Sequence, residues 1–259
     1  MPARRLFLLE YGAELCPKSW SVLGADDELR WVPVVGVAVE TDIGWVVLET
    51  GFSRQAVNDR EACAAVYGEG HDPRAKSGEP FAHALEDVGL KVEDIALAAV
   101  SHFHIDHTGG LPLLAEAGVP VVVQRKELDF ARSAGIEMAY YRPDFADRGI
   151  EWRVLEGDGE IAPGISAIFT PGHTPGHMSY RVELPETGTW LFAVDVADLG
   201  QNLFDGTPIG TAADPADIPR APESLERIRS ESDRTGARVV PGHDPWFWRA
   251  VRHPPRGHR

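Results

Sequence analysis

The sequence predicts an α/β (α+β) protein built as a sandwich of sheets covered by helices, and three observations carry that expectation. Short β-branched and apolar runs recur along the whole chain. Helical stretches fall late in each half, between two groups of strands. No repeat, low-complexity tract or Pro/Gly/Ser linker divides the 259 residues into separate regimes.

In chain order, Val32 to Val39 and Trp45 to Glu49 flank Asp42, Ile43 and Gly44, a hairpin signal. Further strands are expected at Ala96 to Val100, Val119 to Val123, Trp152 to Leu155, Ile165 to Thr170, Met178 to Leu184, Trp190 to Val194 and Arg238 to Val240. Pro222 to Thr235 has every mark of a helix: an early proline, Glu223 and Glu226 in the first turn, arginines late, and Gly236 as a stop. Helices are also expected at Phe81 to Val88, Leu111 to Ala117 and Lys126 to Ser133. One domain over residues 1–251 follows, with a disordered tail over 252–259.

Hydrophobic residues at 43% and charged residues at 25% are the balance of a folded, water-soluble protein, so wholesale disorder is excluded. The longest apolar run, Ile95 to Val100, falls far short of the roughly 20 residues needed to span a bilayer. Leu6 to Leu9 is too short for a secretory signal, so a cytoplasmic protein is expected. The net charge of −15 repels phosphate backbones and anionic lipid, which argues against nucleic-acid and membrane partners. Cys16 and Cys63 are the only cysteines and form no CxxC pair, excluding a disulfide framework or a Cys-based zinc finger.

Ten histidines remain to be explained, and six of them lie in motifs, five as expected ligands. After the strand Ala96 to Val100 comes Ser101-His102-Phe103-His104-Ile105-Asp106-His107. Side chains two apart on extended chain point the same way, so His102 and His104 can share one metal ion. Asp106 and His107 follow where the chain must turn and can face a second. The run Thr170-Pro171-Gly172-His173-Thr174-Pro175-Gly176-His177 again places histidine in a tight turn after a strand. His173 is the expected ligand, and His177 a buried partner or hydrogen-bond donor behind it. Asp195 ends another strand; alone it would pass for a helix cap. Val240-Pro241-Gly242-His243 repeats the strand, turn and histidine. The candidate set is therefore His102, His104, Asp106, His107, His173, Asp195 and His243. If Asp195 bridges, seven side chains fill eight coordination positions, four per ion, and leave room for substrate oxygen. Imidazole with carboxylate suits zinc first, with iron, manganese or cobalt accepted by the same donors.

HFHIDH, TPGHTPGH, the strand-end Asp195 and PGHDP resemble the metallo-β-lactamase superfamily, and more narrowly its N-acyl homoserine lactone lactonase (quorum-quenching) branch. Leu48-Glu49-Thr50-Gly51, Val123-Gln124-Arg125 and Leu155-Glu156-Gly157-Asp158 extend the likeness from about Arg5 to Pro245. The resemblance implies an αββα sandwich of two mixed sheets flanked by helices. It implies a dinuclear, metal-dependent hydrolase that opens a lactone ring by attack of a metal-bridging hydroxide on the carbonyl. Its partner would be a small neutral lactone or ester, most simply an N-acyl homoserine lactone; oligomeric state is left open. Asp106 or Asp198 would return the proton to the leaving group.

Two positions depart from the family pattern. Glu49 stands where Asp is usual, as a hydrogen-bond partner of a ligand histidine. Asp198 stands where such lactonases carry a tyrosine that contacts substrate. An exposed, ionised aspartate would only accept hydrogen bonds, and Tyr140 or Tyr141 is an alternative source of the hydroxyl. Ile136 to Phe145, with Met138, is either core or a wall for an acyl chain. Trp246, Phe247 and Trp248 are expected in the core or at its rim, and His71, His83, His253 and His258 in solvent. Other branches fit less well. A glutathione thioesterase needs more chain than the 16 residues after His243, a nuclease needs a basic face, and a β-lactamase would be exported and lacks the bridging carboxylate. The remaining alternatives are another hydrolase of the fold acting on a different lactone, ester or thioester, and a mononuclear iron persulfide dioxygenase, which would leave Asp106, His107 and His243 without a role.

Overall fold

The computed structural model describes residues 3–68, 71–133, 139–251 and 253–259. One sheet holds six strands in sequential order: β1 (Arg5–Pro17), β2 (Leu29–Thr41), β3 (Gly44–Leu48), β4 (Ile95–Ala99), β5 (Val121–Gln124) and β6 (Trp152–Leu155). The first three are antiparallel, and β3 to β6 run parallel. The second sheet holds β7 (Gly159–Ala162), β8 (Ile165–Phe169), β9 (Met178–Leu184), β10 (Gly188–Val194) and β11 (Arg238–Pro241), antiparallel except for β11 alongside β10. Helices connect them: α1 (Lys18–Ser21), α2 (Arg54–Asn58), α3 (Arg60–Tyr67), α4 (Pro80–Asp87), α5 (Leu111–Glu116), α6 (Arg125–Arg132), α7 (Gly200–Asp205), α8 (Ala221–Thr235) and α9 (Pro245–Ala250).

Side-chain alternation along the strands sorts the apolar residues into layers. In β5, Val121 and Val123 pack toward α4, α5 and α6 with Phe81, Leu85, Leu114 and Leu128, whereas Val122 packs toward the other sheet. In β10, Trp190 and Phe192 meet Leu6, Val39 and Leu97 between the sheets, whereas Leu191 and Ala193 meet Leu225 and Ile228 of α8. The order is therefore helix, sheet, sheet, helix, the predicted sandwich of two mixed sheets flanked by helices. Among the described residues no helix is long and apolar enough to cross a membrane.

Two differences from the sequence reading concern the ends. Residues 5–17 form a strand that Gly12 and the polar Glu10 and Glu14 disguise; β1 absorbs them with a register shift between Glu10 and Gly12. The C-terminal residues are not a loose tail. Leu6 and His258 exchange both backbone hydrogen bonds at 2.8 Å, and the His258 ring lies 4.6 Å from that of Trp190, so this histidine is packed rather than solvated. Trp248 is buried and donates to the Pro241 carbonyl, Phe247 packs partly against the core between the sheets, and Trp246 is 75% exposed.

The ligand-bearing segments all leave the C-terminal ends of strands: β4, β8, β10 and β11. Two close approaches fix these turns. A Cβ on Gly242 would meet the Val194 carbonyl oxygen at 2.7 Å, and one on Gly176 the Glu127 nitrogen at 2.1 Å, so only glycine lets the chains pass. Glu49 (φ 68°) and Val194 (φ 52°) adopt the left-handed region, which costs about 1–3 kcal/mol each. Both sit at strand ends that deliver side chains to the site described next.

Candidate metal centre

All seven predicted ligands converge, and they divide into two groups. His102, His104 and His173 present ring nitrogens within 4.8 Å of one another. The His173 Nε2 and His104 Nδ1 atoms are 2.9 Å apart. Asp106, His107 and His243 form the second group within the same limit. Asp195 stands between them. Its Oδ2 is 3.3 Å from His173 Nε2 and 3.9 Å from His102 Nε2, while its Oδ1 is 3.4 Å from His107 Nε2 and 3.2 Å from His243 Nε2. One carboxylate thus turns an oxygen to each group.

The outer nitrogens of these rings are engaged. Ser101 Oγ lies 2.8 Å from His102 Nδ1, the Pro33 carbonyl 2.9 Å from His243 Nδ1, and Glu49 Oε2 binds His107 Nδ1. Each contact fixes a ring and turns its other nitrogen inward. Glu49 is in turn held by the Ser101 backbone N–H at 2.8 Å and by the Tyr180 hydroxyl. This is the role expected for it, so the extra methylene relative to Asp is accommodated. His177 is wholly buried. Its Nδ1 faces Thr170, and its Nε2 accepts the Asp195 backbone N–H at 3.2 Å, so it positions Asp195.

The donor set fits cations. His102 Nε2 and His107 Nε2 are buried without a hydrogen-bond partner although they face carboxylates, an arrangement that costs free energy unless an ion is shared there. Burial holds His102, His104 and His173 below the usual imidazole range, keeping their lone pairs available. Burial alone would do the same to His107 and His243, but the Asp106 and Asp195 carboxylates outweigh it and hold both above that range. Opposing charge is thus concentrated on the second group and the bridge. On these grounds Glu49→Gln is expected to weaken metal retention by roughly 10–100-fold through a misoriented His107; competition with a chelator measures it.

A second carboxylate, unseen in the sequence, ties the metal-bearing turns together. Glu127 of α6 is fully buried and accepts from Phe103 N (3.0 Å), Tyr140 Oη (2.8 Å), Thr174 Oγ1 (2.7 Å) and Gly176 N (3.1 Å). Tyr140 is thereby committed and is not the substrate-facing hydroxyl considered above. Phe145 stacks on Phe103, which places it in the core; Ile136 and Met138 lie outside the described residues.

A cavity of about 160 Å³ opens on the centre, reaching His104, Asp106, His173, Asp195 and His243. Its walls include Trp20, Val32, Ala139, Ala212 and Ala213, together with Glu14, Cys16, Tyr67 and Asp198. Asp198 therefore faces the site, and it is half-buried rather than exposed. Burial and the nearby Asp195 carboxylate push its carboxyl up to about 8, and cations on the seven ligands would pull it back down. A hydroxyl also reaches the centre from Tyr67, which donates to Asp106 Oδ1 at 3.2 Å. Glu14, Cys16 and Tyr67 escaped the sequence reading because β1 and α3 did; the only signal was the two-residue spacing of Glu14 and Cys16. His71 is not solvated: its ring stacks on Tyr67 with centroids 3.8 Å apart.

Seven His and Asp side chains in two linked groups, carried on strand ends of an αββα sandwich, define a metal-dependent hydrolase site. Residues 29–243 match the metallo-β-lactamase superfamily, and the chain belongs to that family. It is 29% identical to an N-acyl homoserine lactonase of Bacillus cereus over 82% of each chain, and 29% identical to the N-acyl homoserine lactonase AttM of Azorhizobium caulinodans over 97% of each. An N-acyl homoserine lactone hydrolase solved with N-hexanoyl-L-homoserine at its catalytic metal center superposes with a TM-score of 0.87. That structure is 26% identical and covers 98% of this chain and 99% of its own. The chain is thus a hydrolase of the metallo-β-lactamase family whose relatives include N-acyl homoserine lactonases.

Proposed function

We propose that this protein opens the ring of N-acyl homoserine lactones, using two divalent metal ions, zinc by default. The observation that carries this is Asp195 turning one oxygen to each of two three-residue ligand groups beside a cavity whose lining, among the described residues, has no lysine or arginine. His102, His104 and His173 would hold one ion, Asp106, His107 and His243 the other, with Asp195 shared. When bound, such a pair supplies a hydroxide nucleophile at neutral pH and polarises the lactone carbonyl.

The remaining work falls to the chain itself. Glu14, Asp106, Asp195 and Asp198 line the cavity without a lysine or arginine, which disfavours anionic substrates and suits a neutral ester. Trp20, Val32 and the alanines give an apolar wall for an acyl chain. Of the two proton carriers expected, Asp106 is the more committed: one oxygen accepts from Tyr67 and the other faces His107 and His243. Asp198 keeps Oδ1 without a partner, so it is the better placed to pass a proton to the departing alkoxide. Asp198→Ala should lower kcat/KM tenfold or more, about 1.4 kcal/mol of transition-state stabilisation. Unchanged kinetics in both Asp198→Ala and Asp198→Tyr would remove it from the mechanism.

A hydrolysis panel on metal-quantified protein tests the function. It comprises acyl homoserine lactones of several chain lengths, other lactones, a thioester and a β-lactam. Acyl homoserine lactones are expected to be fastest. Failure on every lactone defeats the proposal, and preference for the thioester would move the protein to another hydrolase of the fold.

A further inference from the structure

In the cavity wall, β1 and the chain after α3 bring together three side chains that the hydrolytic centre does not use. Glu14 and Cys16 lie two apart on β1 and are both buried. The His71 side chain is 3% exposed and sits behind Tyr67. A carboxylate oxygen of Glu14, the Cys16 sulfur and a His71 ring nitrogen all lie within 4.8 Å of one another. His71 Nε2 is 2.8 Å from Glu14 Oε2, yet both atoms are buried with no hydrogen-bond partner, because the geometry does not aim a proton from one to the other. His102 Nε2 and His107 Nε2 show the same signature in the main centre: buried donor atoms facing a carboxylate without hydrogen bonding to it.

We propose that Glu14, Cys16 and His71 form a further cation site, distinct from the His/Asp centre, that takes one borderline divalent ion such as zinc or cobalt in the cavity wall. Carboxylate, thiolate and imidazole together select that class of ion, and three protein ligands leave a position open toward the cavity. Binding releases the Cys16 thiol proton to solvent, so the ion meets a thiolate. Burial, with Glu14 and Asp106 nearby, holds the free thiol well above its usual range, which keeps it protonated and inert until the ion arrives. The site is a neighbour of the main centre, since the Tyr67 ring that covers His71 carries the hydroxyl that donates to Asp106. An ion here narrows the cavity, so excess metal should inhibit competitively. None of this depends on which ester the enzyme hydrolyses.

Cobalt(II) titration of the full-length protein provides the test, because the main centre contains no sulfur. A thiolate-to-cobalt charge-transfer band in the near ultraviolet is expected to appear with an equivalent bound beyond those of the His/Asp centre. It should vanish in Cys16→Ser and in His71→Gln and persist in Cys63→Ser. Competitive inhibition by excess zinc should disappear in the same two variants. If Cys16→Ser fails to fold, His71→Gln carries the test, together with slowed alkylation of the wild-type Cys16 thiol when zinc is present. Absence of a band in the wild type overturns the site and leaves Glu14 and His71 as a buried contact with each other. A band that survives Cys16→Ser, or is lost in Cys63→Ser, overturns it as well.

Discussion

Asp195→Asn is expected to lose metal and activity together, with turnover falling by about a hundredfold or more. The reason is geometric and electrostatic. Asp195 Oδ1 and Oδ2 face different ligand groups, so its charge lies between them. Asparagine keeps the shape but turns an N–H₂ toward one group, where a donor repels a cation, and removes the negative charge from between two positive ions. His177 would still hold the backbone at this position, so the loss would not come from a misplaced strand end. Elemental analysis of purified wild type should find two ions per chain, and fewer in the variant. If Asp195→Asn stays fully loaded and active, Asp195 only ends its strand. If wild type holds one ion and His243→Ala retains full activity, the two-ion mechanism falls and the dioxygenase alternative gains.

Replacing Glu127 should have the largest effect on stability of any residue outside the ligand set. Its two oxygens accept four hydrogen bonds, from the turn bearing His102 and His104, from the turn bearing His173, and from Tyr140. Burial raises its carboxyl above the usual range while the four donors pull the other way, so the site holds together only with all of them present. Glu127→Ala strands four buried donors, and Glu127→Gln sets an N–H₂ against two of them. Both should destabilise by roughly 3–5 kcal/mol, since each unsatisfied buried group costs about 1–3 kcal/mol and some relax toward water. Metal retention should weaken alongside, because the two turns are no longer tied. Denaturant unfolding of the metal-loaded protein checks the first effect. A change below about 1 kcal/mol would mean that the turns hold themselves.

The sequence alone located the strand ends from which the seven candidate ligands leave, and the helix-flanked sandwich. These are encoded locally: apolar period-two runs make strands, Pro and Gly close the turns after them, and His or Asp at fixed offsets must then project from a strand end. Glu49 was legible only through the family resemblance, as the residue standing where Asp is usual. Tertiary structure alone decided which groups share Asp195, that His177 serves the backbone of Asp195, and that Glu127 joins two turns about 70 residues apart in sequence. It also turned Asp198 toward the cavity, folded the C-terminal residues onto β1, and buried Glu14, Cys16 and His71 together. No local pattern specifies these, because a buried polar residue on a helix or a mixed strand looks like a solvated one until its partners arrive from elsewhere in the chain. What fixes it is the cost of burying a polar group unpaired, and that cost exists only once the layers have closed.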